Sequence, residues 1–344
     1  MNLPDLTFSR FPAMWQLDGP ALLLVLVLGG LYGWGVVRLR RRGEQWSVGR
    51  TAVFALLGLG TIVVATMSAL AVYDEVLFWP AAVQNILLDL IAPLGLALGD
   101  PLSLACRALP ERASARLRRA VTGKFARLLA FPLVSSLLVL VSELCVYFTP
   151  YFETALRHDA LHQLMYLQLL LVGCLFVLPV LTEEALLPSW CSHPVRAAMV
   201  FFDGLIDAVP GIVVMTSGTL IAGTWYAQHS PSWAPDVQRD QQIGGGAMIT
   251  LAELVGVPFL LVIFVQWVRS ERARTVALDR RLDAELIPVA PRATPVASST
   301  SAGSPPPSAS AVAAQEAPAE PERVRPWWES DGGIVGDRMR QGRP

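Results

Sequence analysis

The sequence predicts an all-α fold, a polytopic bundle of about seven helices crossing a bilayer with the N-terminus outside and the C-terminus inside. Three observations predict it. Of 344 residues, 53% are hydrophobic and only 16% charged, where a soluble domain is nearer a quarter charged; mean hydropathy is +0.47. The apolar residues fall in runs of roughly 20, the length a helix needs to cross the hydrocarbon core. Lysine and arginine are concentrated in alternate connections. The formal net charge of −1 hides that segregation and carries no message of its own.

Residues 1–20 lack a basic stretch followed directly by a short apolar core, so the first run reads as a retained helix rather than a cleaved signal. Seven runs qualify as spans, at 21–37, 52–72, 78–98, 128–147, 160–181, 197–219 and 246–268. Each is expected to be helical, because lipid offers no partner to an open backbone. The third run carries Gln84, Asn85 and Asp89. Polar side chains at that depth are costly against lipid, so their face is expected inside the bundle.

Orientation follows from the basic residues. The connection after the first run holds five Arg, and the stretch from Arg107 to Arg127 holds seven basic residues. Arg269, Arg272, Arg274, Arg280 and Arg281 follow the seventh run. The connections around Asp74 and Glu75, at 148–159 and at 220–245, hold at most one Lys or Arg each. The 182–196 connection, expected inside, carries only Arg196. The chain thus divides into an outer segment, 1–20, a transmembrane domain, 21–283, and a cytoplasmic tail, 284–344. From Pro288 to Pro321 the tail is nearly all Ala, Pro, Ser, Thr and Val, which cannot bury a core and reads as disordered. Its end, with Trp327, Trp328 and several Arg, is either a solvated terminus or a short docking peptide.

No phosphate loop, nucleophile elbow or zincin motif is present, which argues against an enzyme. The basic loops are explained by topology, with no nucleic-acid partner implied. Cys106, Cys145, Cys174 and Cys191 form no CxxC pair. What remains is a set of polar residues within apolar runs: Gln84, Asn85, Asp89, Glu143, His158, His162, Met165, Tyr166, Gln168, Asp203, Asp207 and Glu253. Buried ionisable groups line cavities or pair with one another. Asp89, Asp207 and Glu253 are therefore expected to point into the bundle. His158 and His162 lie four apart, with Met165 a turn further on the same side. Two imidazoles and a thioether would suit Cu(I); the plainer reading is that they cap the helix at the interface and bond to water or backbone.

Three blocks carry a resemblance: VQNILLDLIAPLGLALGDPLSLACRALP (83–110), YFTPYFETALRHDALHQLMYLQLLLVGCLFVLP (147–179) and DQQIGGGAMITLAELVGVPFLLVIFVQWVRSERARTVALDRRLDAE (240–285). With these the chain resembles the CtaG-like family of cytochrome c oxidase assembly proteins in its actinobacterial form. The likeness covers most of 75–283. It implies a role in oxidase assembly and, by inference, copper delivery on the outer side.

Relatives typically carry His-x-x-Gln-His where this chain has Ala81, Gln84 and Asn85. They have a second His where Gln168 stands, a Trp near Leu178, and a His where Asp207 stands. Trp and Gly replace Ile249 and Ala252, whereas His162, Met165 and Glu253 match. The resemblance therefore points to a candidate polar or degenerate metal cluster made of His162, Met165, His158, Glu253, Asp207, Gln84, Asn85 and Gln168. Carboxylate and amide oxygens suit a proton or a hard cation better than Cu(I). The expected role is a membrane accessory or scaffold factor in oxidase assembly, with oxidase subunits or other assembly factors as partners in a bacterial plasma membrane. The alternative is a small cation- or proton-linked transporter using buried carboxylates.

Overall fold

The computed structural model describes residues 3–7, 10–182 and 193–286. The chain divides into two units after Leu286, and the first is the helical body. Expectations for Cys191, for most of the 182–196 connection and for the tail beyond Leu286 lie outside the described residues.

Among the described residues the regular structure is helical, with no strand. The helices are α1 (Gly19–Arg41), α2 (Val48–Tyr73), α3 (Phe78–Leu98), α4 (Pro101–Ala108), α5 (Glu111–Val121) and α6 (Lys124–Leu129). They continue as α7 (Pro132–Phe148), α8 (Tyr151–Arg157), α9 (Asp159–Leu181), α10 (His193–Thr216), α11 (Gly223–His229) and α12 (Val237–Leu286). Six of these (α1, α2, α3, α9, α10 and α12) are long and apolar enough to cross a membrane. The pair α7 and α8, bent by 64°, brings the count to seven where the two are taken as one broken span. Pro150 forces that bend, because it has no N–H to continue the ladder.

The third run, the most polar of the seven, is the most enclosed. Of its hydropathic window 78% is buried, against 22% for α1, so the cost of Gln84, Asn85 and Asp89 is met by removing them from lipid. Helix α3 packs against α2, α9 and α12. Leu77, preceding it, offers no capping side chain. The cap comes instead from α12, where the Asp240 carboxylate accepts from the Phe78 N–H at 2.6 Å and the Trp79 N–H at 3.3 Å. A carboxylate there satisfies two orphan donors and suits the positive end of the helix.

Small residues set the closest crossings. A Cβ on Gly95 of α3 would stand 2.2 Å from the Gly58 nitrogen of α2, and one on Gly173 of α9 would stand 1.8 Å from the Asp89 carbonyl oxygen. Both crossings meet wide π-helical turns, Phe54–Leu59 in α2 and Leu87–Ile91 in α3. At the arginine-rich end, Tyr32 donates to the Gly99 carbonyl at 2.8 Å and stacks on Phe54. Arg50 pairs with Asp100 at 3.3 Å, and Arg107 with Glu44 at 2.8 Å.

The last helix is longer than the 246–268 that hydropathy marks. It is continuous from Val237 to Leu286, because the polar flanks are good helix formers with pairs such as Arg274–Glu271 at 3.0 Å. Hydropathy measures only the part that sits in lipid.

Candidate functional site

Gln84 and Asn85 are neighbours on α3 and therefore diverge by about 100° around the helix. Each serves a different polar centre.

The first centre lies at the end of the bundle opposite the arginines. Its hub is Asp74, in the turn between α2 and α3, with 1% of its surface exposed. Asp74 Oδ2 accepts from the Tyr166 hydroxyl at 2.8 Å and stands 3.6 Å from His162 Nε2. That contact is an ion pair only when the imidazole carries a proton. The Gln84 side chain reaches the same carboxylate, and its amide donates to the Ala65 carbonyl at 2.7 Å. Tyr226 of α11 donates to the Asp74 backbone carbonyl at 2.8 Å. His162 and Tyr166, one turn apart on α9, hold their rings 4.5 Å from each other. Burial pushes the Asp74 carboxyl up from 3.8 to about 7; the Tyr166 hydrogen bond opposes that rise and the Glu75 charge adds to it. Two buried acceptors here, Asp74 Oδ1 and Gln84 Oε1, have no hydrogen-bond partner among the described residues.

The second centre lies deeper, between α3, α7 and α10. Asp89 stands in the wide turn of α3 and Glu143 on α7, with Asp203 and Asp207 one turn apart on α10. Each is within electrostatic reach of the other three. Asp89, Glu143 and Asp203 are buried, whereas Asp207 is half-buried. Ser136 hydrogen-bonds to Asp203. Above Asp89, the Asn85 amide donates to the Tyr147 hydroxyl at 2.9 Å.

The residues expected to form one cluster are thus distributed. His162 and Gln84 belong to the first centre, and Asn85 and Asp207 to the second. Met165 is fully buried within the apolar core, beside neither carboxylate group as a hydrogen-bond partner. Gln168 ties helices together instead: it donates to Ser142 at 2.9 Å and accepts from Tyr151 at 3.2 Å. Two expectations fail. His158 is exposed at the start of α9, where its backbone is extended, so it does not continue the face that carries His162. Glu253 is exposed on the outer face of α12 rather than turned into the bundle. The buried stripe of that helix runs through Gly244, Gly245, Met248, Ala252, Phe259 and Ile263, and Glu253 follows Ala252 by about 100°, off the stripe. Among the described residues, no three His, Cys, Asp or Glu side chains are set to hold a metal ion.

Several contributors escaped the sequence. Asp74 sits in a connection, where acids are ordinary; its one signal is an acid with no basic neighbour in a very short turn. Tyr147 and Tyr226 carry no signal that sets them apart from other aromatics. Within DQQIGGG, Asp240 caps α3, and Gln241 accepts from the Ile221 N–H at 2.8 Å while donating to the Val214 carbonyl at 3.1 Å. Gly245 lets α12 close on α10, where a Cβ would stand 2.6 Å from the Met215 nitrogen. That block builds architecture.

The bundle and its two buried polar centres define a polytopic membrane protein with no recognisable catalytic set among the described residues. The family model for the cytochrome c oxidase caa3 assembly factor, CtaG, matches residues 30–270. The chain belongs to that family. Uncharacterized proteins of Mycobacterium bovis and Mycobacterium tuberculosis are each 29% identical to it over 288 residues, 81% of this chain and 43% of theirs. One of Mycobacterium leprae is 28% identical over 281 residues, 80% of this chain and 42% of its own. The chain therefore spans less than half the length of these relatives. No solved structure matches it.

Proposed function

We propose that this protein is a membrane accessory or scaffold factor in cytochrome c oxidase assembly, seated in the bacterial plasma membrane with its arginine-rich end in the cytoplasm. The observation that carries this reading is the family match, which runs from within α1 into α12 and so reaches every span. The charge segregation supports the orientation, in which the Asp74 centre faces the outer side. The role is non-catalytic, and its partners are oxidase subunits or other assembly factors.

Copper is the cargo the family resemblance suggests, and the donor set argues against its tight binding here. Near His162 the available donors are a carboxylate, a phenol and an amide oxygen, all hard, whereas Cu(I) favours thiolate, thioether and imidazole. The protein is expected to act by holding partners rather than by handing over the ion.

Deleting the gene in its host should lower the haem a signal of the assembled oxidase, and the full-length chain should restore it. Unchanged oxidase in the deletion strain would overturn the reading. Purified protein should retain no stoichiometric Cu(I) against a competing chelator. A stoichiometric signal lost in His162→Ala would restore the copper-delivery reading.

A further inference from the structure

Four carboxylates lie within electrostatic reach of one another inside the bundle, and no cation among the described residues bears on them. Asp89 comes from α3, Glu143 from α7, and Asp203 and Asp207 from α10. The charged groups that bear on these four, among the described residues, are one another. Like charges taken out of water repel one another strongly. Four ionised carboxylates at one buried place are therefore untenable.

Hydrogen bonding tells the same story from a different direction. Asp89 Oδ1, Glu143 Oε2 and Asp203 Oδ1 are buried acceptors with no donor among the described residues. A group outside the acid set shares the deficit. Asn85 is 3% exposed, and its Oδ1 has no partner either. Asn85 precedes Asp89 by one turn of α3, and Tyr147 follows Glu143 by one turn of α7. Their 2.9 Å hydrogen bond holds the Asn85 amide over the acids. The centre is rich in acceptors and short of donors. A proton cancels charge and creates an O–H donor in the same step. A metal ion would need three converging ligands, and no such group of His, Cys, Asp or Glu is present among the described residues.

We infer that Asp89, Glu143, Asp203 and Asp207 form a buried proton-binding site whose carboxyls share protons at neutral pH. The surrounding titratable groups are Tyr147 of α7 and Cys174 of α9, both within electrostatic reach of Asp89; α12, which packs on α3 and α10, turns Glu253 away. The wide turn of α3 displays Asp89, and its carbonyl lies against Gly173 of α9. Protonation is thereby tied to the packing of four helices. The inference goes beyond oxidase assembly, and its test involves no oxidase.

The test is infrared spectroscopy of the full-length protein in detergent, following the C=O stretch of protonated carboxyl groups. Asp74→Asn is measured beside the wild type so that the first centre contributes nothing. A protonated-carboxyl band at neutral pH is expected in both, moving to lower frequency in D₂O. Glu143→Gln and Asp203→Asn should each remove part of its intensity. Absence of the band in Asp74→Asn overturns the inference. So does its disappearance at constant pH on adding sodium, potassium, calcium or copper(I) salts, since the site would then take that cation. Where Glu143→Gln gives no folded protein, the Asp203→Asn spectrum and the parent band decide.

Discussion

The two polar centres use the same kinds of side chain and differ in what answers them. At the Asp74 centre a phenol donates into the carboxylate and an imidazole stands beside it; a second phenol holds the backbone carbonyl of the same residue. At the Asp89 centre four acids face one another, and the donors within reach are Ser136 and the Asn85–Tyr147 pair. A buried carboxylate with donors is a fastener between elements. One without them is a demand for something not supplied by the fold, and such demands collect at functional positions. The contrast separates a carboxylate answered on one of its oxygens from a set of acids that chiefly face one another.

The largest expected effect tests whether the deeper centre depends on helix approach. Gly173→Val places side-chain carbon where the Asp89 carbonyl already sits, at 1.8 Å from an ideal Cβ. Backbone cannot yield as a side chain can, so the cost should exceed about 3 kcal/mol, beyond ordinary overpacking. No monodisperse protein should be recovered by size-exclusion chromatography in detergent. Normal yield would mean that α9 and α3 do not cross this closely.

Much of this architecture is legible in the sequence. The spans follow from apolar run length, and the burial of α3 follows from Gln84, Asn85 and Asp89 within one run. Rotation about each helix axis is less legible. Polarity alone turned Glu253 inward, although the stripe through Gly244, Met248 and Ala252 fixes α12 by shape and leaves the acid outside. His158 looked like a partner of His162 because spacing assumes a helix already running, whereas its backbone is extended there. Asp74 is illegible for another reason: a connection gives no periodicity to read. Membrane burial is announced by hydropathy; which side chains meet is decided by packing of small residues, and one sequence does not print that.

The next effect sharpens the contrast through pH. The Asp74 carboxyl is held at about 7 when folded against an ordinary 3.8. Between those values the folded state binds more protons than the unfolded one, so stability falls as pH rises. The contribution is fully present below the unfolded value and is lost as pH passes through about 7, with a slope of up to about 1.4 kcal/mol per pH unit. Thermal unfolding of the wild type in detergent should show that decline, and Asp74→Asn should remove its share. Any slope that survives belongs to other buried titrating groups, the deeper centre and His162 among them. An identical slope in both proteins would show that Asp74 titrates normally.

A smaller loss is expected from Tyr166→Phe. The hydroxyl at 2.8 Å is the donor to Asp74 Oδ2, and its removal leaves a buried acceptor facing an aromatic edge. That costs about 1–3 kcal/mol, read as a fall in the denaturation midpoint, largest above pH 7 where the carboxylate is charged. Asp74→Asn combined with Tyr166→Phe should lose less than the sum, because the two residues act as one contact. Additive losses would dissolve the first centre into unrelated parts.

The smallest effect is expected at Glu253, the acid that belongs to neither centre. It is exposed on α12, with Leu254 and Val257 beside it at 67% and 66% exposure, so it touches little that substitution could disturb. Glu253→Gln should shift stability in detergent by no more than about 0.5 kcal/mol, as for surface positions generally. The same change in a bilayer should be neutral or stabilising, because an ionised carboxylate facing hydrocarbon is unfavourable while an amide is less so. Glu143→Gln, on the buried side of α7, should by contrast change the protonated-carboxyl absorption that Glu253→Gln leaves alone. A marked loss of stability in Glu253→Gln would place that side chain against protein, and the division between buried acids that need protons and an outward acid that does not would have to be redrawn around α12.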